Sequence, residues 1–586
     1  MFLIFSNLSN AQLAFEDVAT QVGVNYSYGD SEYGGGVSFA DFNNDGWDDI
    51  TYATEDGAQI YFFENNNGVF NLVTLNGISN TYKTKQVIWI DYDNDGDKDL
   101  FVTAIEGINE FYRNDGGMNF TNISSTIGFF QTDLFTYGTS FGDIDNDGDL
   151  DAFISNRTST EQNQRNYLYR NDEGTFVDIT QSSGIPIEDE EGNENSQLSF
   201  CTMFFDYNKD GFQDIYLAND KTDNINRLYK NLGNGTFEDV SVASGSGIAV
   251  NAMTTTLGDY NNDGWFDIYI TNTQSSQAGN GNVLLKNNGD GTFTNVAEET
   301  GTTFNSLAWG AVFLDADNDT LLDLYVSGGF DGSIGSFLSA AFYHQQNDGI
   351  FVIPQNIGFE NDTRKSFSNA IGDINNDGKP DIIVCNDTEN NFLWENKTTN
   401  TNNWLKVKLE GVTTNRDGIG NTIEIFINGR SQYRYTLAGE GYISQNSYHE
   451  FFGLGEATEV DYVKVTWTGT NTEDIIYDVN ANQSINADGN SSALRVIAGT
   501  NGQDVNAIIQ NTGTGNLIIT NAKASCGCTK LEYPKEIIKP GNKERIKVTF
   551  NSNKTGEQKK NITLTTNATP SIKILTIEGM VLPSEN

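Results

Sequence analysis

Four cysteines (Cys201, Cys385, Cys526 and Cys528) in 586 residues are too few for a disulfide framework. Two histidines, His344 and His449, nearly exclude a His-based triad or a His-rich zinc site, because each needs His beside specific partners. Basic residues are scarce: Lys plus Arg is 34 against 80 for Asp plus Glu, a formal charge of −46. A chain this acidic is repelled by nucleic acid and by anionic lipid. No apolar run is long enough to cross a bilayer, so no membrane span is expected. Proline is rare (7) while glycine is abundant (59), a balance that suits many tight turns between short strands. Low hydrophobicity with high charge is also the signature of disorder, but aromatics are 12% of residues and apolar runs recur regularly, as in a folded chain. The length predicts roughly two to four domains.

Residues 1–11 read as a signal-peptide remnant: a short apolar run, then Ser9-Asn-Ala11 as a small-x-small cleavage pattern, although the basic n-region is missing. Export is the expectation, with the mature protein secreted or held at the cell surface.

One segment then recurs seven times. Its acidic and amide positions 1, 3, 5 and 9 are Asp41, Asn43, Asp45 and Asp49; Asp91, Asp93, Asp95 and Asp99; Asp143, Asp145, Asp147 and Asp151; Asp206, Asn208, Asp210 and Asp214; Asp259, Asn261, Asp263 and Asp267; Asp315, Asp317, Asp319 and Asp323; and Asp373, Asn375, Asp377 and Asp381. Alternating apolar residues flank each copy, as in Val37-Ser-Phe39-Ala before the first and Ile50-Thr-Tyr52-Ala after it, which reads as strand, loop, strand. A hairpin signature follows each copy but the last, as in Leu168-Tyr-Arg-Asn-Asp-Glu-Gly-Thr-Phe176. Four short strands per unit make a propeller blade. The seventh unit ends at Phe392-Leu-Trp-Glu-Asn without a Phe-x-Asp-Val tail, and an orphan tail, Phe15-Glu-Asp-Val18, stands at the other end. That N-terminal strand is expected to complete the last blade and leave no long edge exposed.

The chemistry of the repeat points to calcium. A hard divalent cation takes six to eight oxygens, several of them carboxylates, and magnesium keeps more waters. Positions 1, 3, 5 and 9 supply side-chain oxygens, a carbonyl at position 7 is a natural fifth ligand, and Gly at position 6 permits the turn. Up to seven sites are expected. The sixth is the weakest, because Thr320 stands where the others have Gly and a Cβ resists a left-handed turn. This stretch, about 12–398, resembles the FG-GAP/VCBS repeats of integrin-α-like propellers. The resemblance implies a seven-bladed propeller with calcium loops between strands, and adhesion or ligand binding; it transfers no ligand.

From Asn403 the repeat stops. Trp404-Leu-Lys-Val-Lys-Leu, Asn415-Arg-Asp-Gly-Ile-Gly420, Gly439-Glu-Gly-Tyr-Ile-Ser-Gln-Asn446, Phe452-Gly-Leu-Gly455 and Val463-Lys-Val-Thr-Trp467 resemble the ASPIC/UnbV domain of the cartilage acidic protein family, over about 403–488, with Asn421 where that family usually has Ala. The resemblance implies a small β-rich module. Arg416, Asp417, Glu440 and Gln445 are candidates for lining a binding surface, although such Gly-rich stretches more often simply join strands. After a polar linker, residues 492–582, with strand-like alternation and Cys526-Gly-Cys528-Thr, resemble a bacterial immunoglobulin-like family of unknown function related to ASH/major-sperm-protein sandwiches. Two thiols one residue apart cannot alone make a tetrahedral site; packing is the expected role.

The whole is therefore expected to be all-β: a seven-bladed propeller, a small β-rich module and an immunoglobulin-like sandwich. It is expected to bind an extracellular glycan or protein and to catalyse nothing. The alternatives are a polysaccharide lyase or glycosidase on the propeller, since carboxylate pairs about 5 to 10 Å apart do glycoside chemistry, and a structural spacer. An unrepeated acidic pair with Arg, Lys or Tyr in the central channel would favour the enzyme. Trp47, Trp265, Trp309 and Trp394 are expected to pack between blades rather than stack on sugars.

Overall fold

The computed structural model describes residues 12–488, apart from 30–31, 130, 158–164, 188–196, 274–280, 305, 331–337, 413 and 471. Beyond these it describes 496–498, 504–510, 516–524, 529–539, 542–550, 556–567 and 572–581. The signal-peptide segment 1–11 and the pair Cys526/Cys528 lie outside the described residues.

The chain is a β-propeller followed by β modules. Each repeat forms an antiparallel set of strands in chain order, as in Ser199–Phe205, Asp214–Asn219, Arg227–Asn231 and Phe237–Asp239. The strand before each loop is the innermost and is buried almost throughout; the last is short, with only its first residue buried, except in the first repeat, where Val69–Val73 buries Phe70. Apolar side chains on both faces of the inner strands fit this burial, and alternation returns toward the rim. The second and third repeats merge into one eight-stranded sheet, where Leu134 and Phe135 pair with Gly107 and Ile105.

The last repeat borrows its outer strand from the N-terminal side. Phe15–Asp17 pairs antiparallel with Phe392–Asn396, Phe15 opposite Asn396 and Asp17 opposite Trp394, so the orphan tail sits where the sequence places it. Side chains also tie successive sheets together. Asn65, Asn171, Asn231, Asn287, Gln345 and Asn396 each donate to the carbonyl at position 2 of the preceding loop: Ile374, Tyr92, Ile144, Tyr207, Tyr260 and Ala316, at 2.7 to 3.1 Å. The bond from Asn65 to Ile374 joins the first repeat to the last.

Residues 403–488 form two small sheets. Asn403–Glu410 pairs with His449–Gly455 and with Gln483–Asp488; Thr422–Ile427 pairs with Arg430–Tyr435 and Glu459–Trp467. Leu405, Val407 and Leu409 are buried on one face of the first strand, while Trp404, Lys406 and Lys408 lie on the other. This module and the propeller are one compact unit, Met1–Glu473 with Asp478–Gly489. Its segment 438–447 enters the propeller axis. Ser444 and Gln445 pair in parallel with Val37 and Ser38 of the first inner strand, and single bridges join Ala438 to Phe141 and Gly441 to Thr255.

The second unit, Asp474–Tyr477 with Asn490–Asn586, has one sheet ordered Val496–Ala498, Asp504–Gln510, Lys543–Phe550, Thr529–Glu532 and another ordered Ile519–Ala524, Gly556–Thr566, Ile572–Val581. Ile519, Ile538, Ile546, Val548, Ile562 and Leu564 form its core, in keeping with the expected sandwich.

Candidate metal centre on the loop face

The repeated loops share one backbone shape. Position 4 is left-handed in every copy (Asn44, Asn94, Asn146, Lys209, Asn262, Asn318, Asn376, with φ from 54° to 63°), and so is position 6, from Gly378 at 80° to Gly96 at 97°. Thr320 takes this conformation too, at φ 87°. The sixth loop therefore follows the path of the others, with the strain of a β-branched left-handed residue carried by its surroundings.

This shape aims backbone N–H groups at the carboxylates. In the first loop Asp45 N donates to Asp41 Oδ1 at 2.8 Å and Gly46 N to Asp41 Oδ2 at 3.0 Å. The same two bonds recur on Asp91, Asp143, Asp206, Asp259, Asp315 and Asp373. At position 9, Asp49 accepts from Asn65 N at 2.8 Å and from Phe42 N at 3.2 Å, a pattern repeated at Asp99, Asp151, Asp214, Asp323 and Asp381. Asp267 accepts from Asn287 N at 2.8 Å. An Asp at positions 1 and 9 is thus fixed in direction before any ion arrives.

Three loops bring three carboxylate oxygens within 4.8 Å of one another: Asp91, Asp93 and Asp99; Asp143, Asp145 and Asp151; Asp315, Asp317 and Asp319. These are the loops with Asp at position 3. The others have an amide there, Asn43, Asn208, Asn261 and Asn375. Burial, reinforced by neighbouring carboxylates, pushes the acids up: Asp49 and Asp99 to about 9, Asp143 and Asp317 to about 7. Asp151, Asp214 and Asp267 are also driven well up, chiefly by burial. Such groups gain from a positive charge brought among them. The Oδ1 of Asp317 is buried with no hydrogen-bond partner, an open ligand in the sixth loop. The donor set, hard oxygens on a glycine-turn loop, fits calcium.

Two features of this face escape sequence reasoning. The first is the Asn at position 4. Asn44, Asn94, Asn146, Asn262, Asn318 and Asn376 each donate to the position-6 carbonyl of the next loop: Gly96, Gly148, Gly211, Thr320, Gly378 and Gly46, at 3.0 to 3.3 Å. The loops are chained to one another, and Asn376 joins the last to the first. The fourth loop has Lys209 there instead, with its ammonium over the Trp265 ring at 4.1 Å. The position-4 Asn was visible in the repeat, but its partner is in a different repeat.

The second is the 403–488 module, which sits on the loops like a cap. Lys406 Nζ lies 2.8 Å from Asp373 Oδ2 and Lys408 Nζ 3.8 Å from Asp41 Oδ2. Asp417 pairs with buried Lys98, under the Tyr448 ring, and accepts from Asp91 N at 2.8 Å. Asp206 N donates to Tyr435 Oη at 3.2 Å, and Gly455 N to Asn318 O at 2.8 Å. Of the four candidate surface residues, Asp417, Glu440 and Gln445 are therefore turned into this internal interface. Gln445 accepts from Ser38 Oγ at 2.7 Å and donates to Trp89 O at 2.8 Å. Arg416 remains exposed, 2.8 Å from Glu410.

Within the axis, Tyr442 and Ile443 are fully buried among Tyr137, Phe200, Met253, Trp309 and Phe367 of the inner strands. Trp309 and Trp394 are packed in cores, as expected; Trp47 and Trp265 are half-buried beside their loops. Near the loop end of the axis Glu440, Glu450, Arg434 and His449 line a cavity of about 60 Å³. Burial pushes Glu440 up to about 7 and Glu450 to about 8, and His449 down to about 4. This is an unrepeated acidic pair with an Arg, but in a space far below the roughly 300 Å³ at which ligand pockets begin. A wider cleft, about 750 Å³, opens between the first loop and the module, lined by residues that include Asp41, Asn44, Asp45, Trp404, Lys408 and Asn486.

Family models agree with this architecture. The FG-GAP-like repeat matches residues 41–102, 91–154, 206–270 and 273–326, the ASPIC and UnbV model matches 411–493, and a protein of unknown function (DUF1573) matches 486–581. The chain thus carries FG-GAP-like repeats, an ASPIC/UnbV domain and a C-terminal DUF1573 domain. No curated protein matches it. Among solved structures, a protein of unknown function from Porphyromonas gingivalis W83 is similar at 8% identity, covering 27% of this chain and 85% of that one with a TM-score of 0.14; a score this low carries no argument.

Proposed function

We propose that this chain is an exported, calcium-loaded, seven-bladed propeller that binds an extracellular glycan or protein and does not catalyse. The calcium reading rests on the convergence of three carboxylate oxygens within 4.8 Å in each of the second, third and sixth loops, with Asp317 Oδ1 left buried and unbonded. Bound cations would neutralise carboxylates that burial otherwise drives toward protonation. Among the described residues no helix is long and apolar enough to cross a membrane, and repeats of this type occur in extracellular proteins.

Binding is favoured over catalysis by what fills the axis. A propeller enzyme would use its central channel, and here the chain's own residues 438–447 occupy it. The unrepeated acidic pair Glu440 and Glu450 has room only for a few waters. The cleft beside Trp404 and Lys408 offers an aromatic ring, an ammonium and amides in one place, a mixture suited to polar saccharide or peptide groups. Metal analysis of the purified chain should find tightly held calcium, and glycan and matrix-protein arrays should show retention without turnover. Absence of calcium refutes the metal reading; steady release of unsaturated or reducing sugars refutes the binding one.

A further inference from the structure

The loops are not equivalent in charge. In the third loop, Asp143, Asp145, Asp147 and Asp151 have no Lys or Arg nitrogen within 4 Å among the described residues, and in the sixth the nearest cationic group is His344, 2.9 Å from Asp323. The first and second loops meet a module cation only at longer range, Lys408 at 3.8 Å from Asp41 and Arg416 at 4.0 Å from Asp91. The fourth and fifth loops each meet one lysine, Lys230 at 3.3 Å from Asp210 and Lys286 at 3.8 Å from Asp263. The seventh loop meets two. Lys406 Nζ is 2.8 Å from Asp373 Oδ2 and 2.7 Å from Asn376 Oδ1, with 3% of its side chain exposed against 0% for Asp373. Lys379 Nζ is 3.0 Å from Asp377 Oδ2.

The two end carboxylates of this loop keep the backbone bonds that the other loops share, so they do not set it apart. Asp373 accepts from Asp377 N and Gly378 N, and Asp381 from Asn396 N and Ile374 N. At position 3, Asn375 donates its amide to Glu395 at 3.1 Å. Trp404 closes over the turn: a Cβ on Gly378 would lie 1.9 Å from its ring. A buried carboxylate is stable when a well-placed cation and hydrogen bonds satisfy it, and a lysine ammonium can supply that counter-charge without a metal. A divalent ion entering here would face the buried Lys406 ammonium at its first ligand, where the interior does little to screen the repulsion, and the partly exposed Lys379 at its third.

We propose that the seventh loop holds no divalent cation, and that Lys406, with Lys379, is its built-in counter-ion. The loop is then a metal-independent seat for the 403–488 module, while the other loops depend on calcium. This rests on the calcium reading above and removes one site from the expected complement of seven. It also moves the exception from the sixth loop, where Thr320 stands, to the seventh, where positions 1, 3, 5, 6 and 9 all follow the repeat.

Calcium per chain, measured by elemental analysis of the full chain after dialysis against buffered calcium, tests it. Asp143→Asn should lower the count by one, and Asp373→Asn should leave it unchanged. Lys406→Met combined with Lys379→Met should raise the count by one. A loss of one calcium on Asp373→Asn overturns the inference alone, leaving the calcium reading intact. A wild-type chain that holds no calcium overturns both. Should the double lysine variant fail to fold, the comparison of the two Asp→Asn variants decides.

Discussion

The phenol of Tyr442 donates to the carbonyl oxygen of Tyr33 at 2.7 Å, so a residue of the 403–488 module is bonded through the propeller axis to the segment before the first inner strand. Around it stand Tyr137, Phe200, Trp309 and Phe367. Tyr442→Phe removes only the hydrogen bond and should cost about 1 kcal/mol. Tyr442→Ala empties the axis and should cost about 3–5 kcal/mol. Denaturant titration of both variants measures the difference; equal, small effects would mean that the axial packing adds little.

Chelation should lower the melting temperature by several degrees, since an ion bound only to the folded chain stabilises it, by about 2.7 kcal/mol per site at a hundredfold excess over Kd. Scanning calorimetry with and without EDTA checks this. An unchanged curve contradicts the metal reading.

Acidity should act through Glu440. Burial raises its carboxyl from the ordinary 4.5 to about 7, so the folded chain holds a proton that the unfolded chain releases. The stabilisation is complete below about pH 4.5 and is lost as pH rises through about 7. Glu450, raised to about 8 and facing Glu440 and Arg434, acts in the same direction. Glu440→Gln should therefore be the more stable form at pH 8, by about 2 kcal/mol, with little difference at pH 5. Urea midpoints at the two pH values test it, and a gain at pH 5 equal to that at pH 8 would exclude titration as the cause.

Lys98 and Asp417 form a buried pair across the propeller–module boundary, with Lys98 also 3.8 Å from the Tyr448 ring centre. Removing either partner strands a charge and should cost about 3–5 kcal/mol, whereas replacing both with apolar residues should cost much less. A double-mutant cycle of Lys98→Met and Asp417→Leu reads this coupling; simple additivity of the two losses counts against it.

Lys209→Asn should raise the melting temperature modestly. It would supply the one missing link in the chain of position-4 bonds and place a residue that tolerates φ of 58°, for a gain of about 1 kcal/mol. Loss of the Lys209–Trp265 contact offsets part of it. A lowered midpoint would show that contact to be the stronger.

Much of the propeller was legible because its signals are local. Asp at 1 and 9, Gly at 6 and flanking alternation all lie within one repeat, and the Phe15–Asp17 strand betrayed its place by a tail missing elsewhere. Thr320 takes the left-handed turn that its side chain disfavours, so its loop keeps the shape of the others. The cap was not legible. Lys406 reads as an outward residue of an alternating strand, and Gly439–Asn446 as a turn, until each is set against partners far away in the chain. The same distance hides the position-4 asparagines, whose acceptors belong to the neighbouring loop.

The filled axis has a consequence for how the chain reaches its native state. Until residues 438–447 are available, Tyr137, Phe200, Trp309 and Phe367 lack the Tyr442 and Ile443 side chains that complete their cluster, and the outer strand at 15–17 waits on 392–396. The contacts that complete the core are therefore among the most distant in sequence, which makes acquisition slow and leaves aromatic surface open to aggregation meanwhile. A polypeptide cut short before residue 438 should accumulate as a sticky, incompletely assembled ring rather than as a smaller working one.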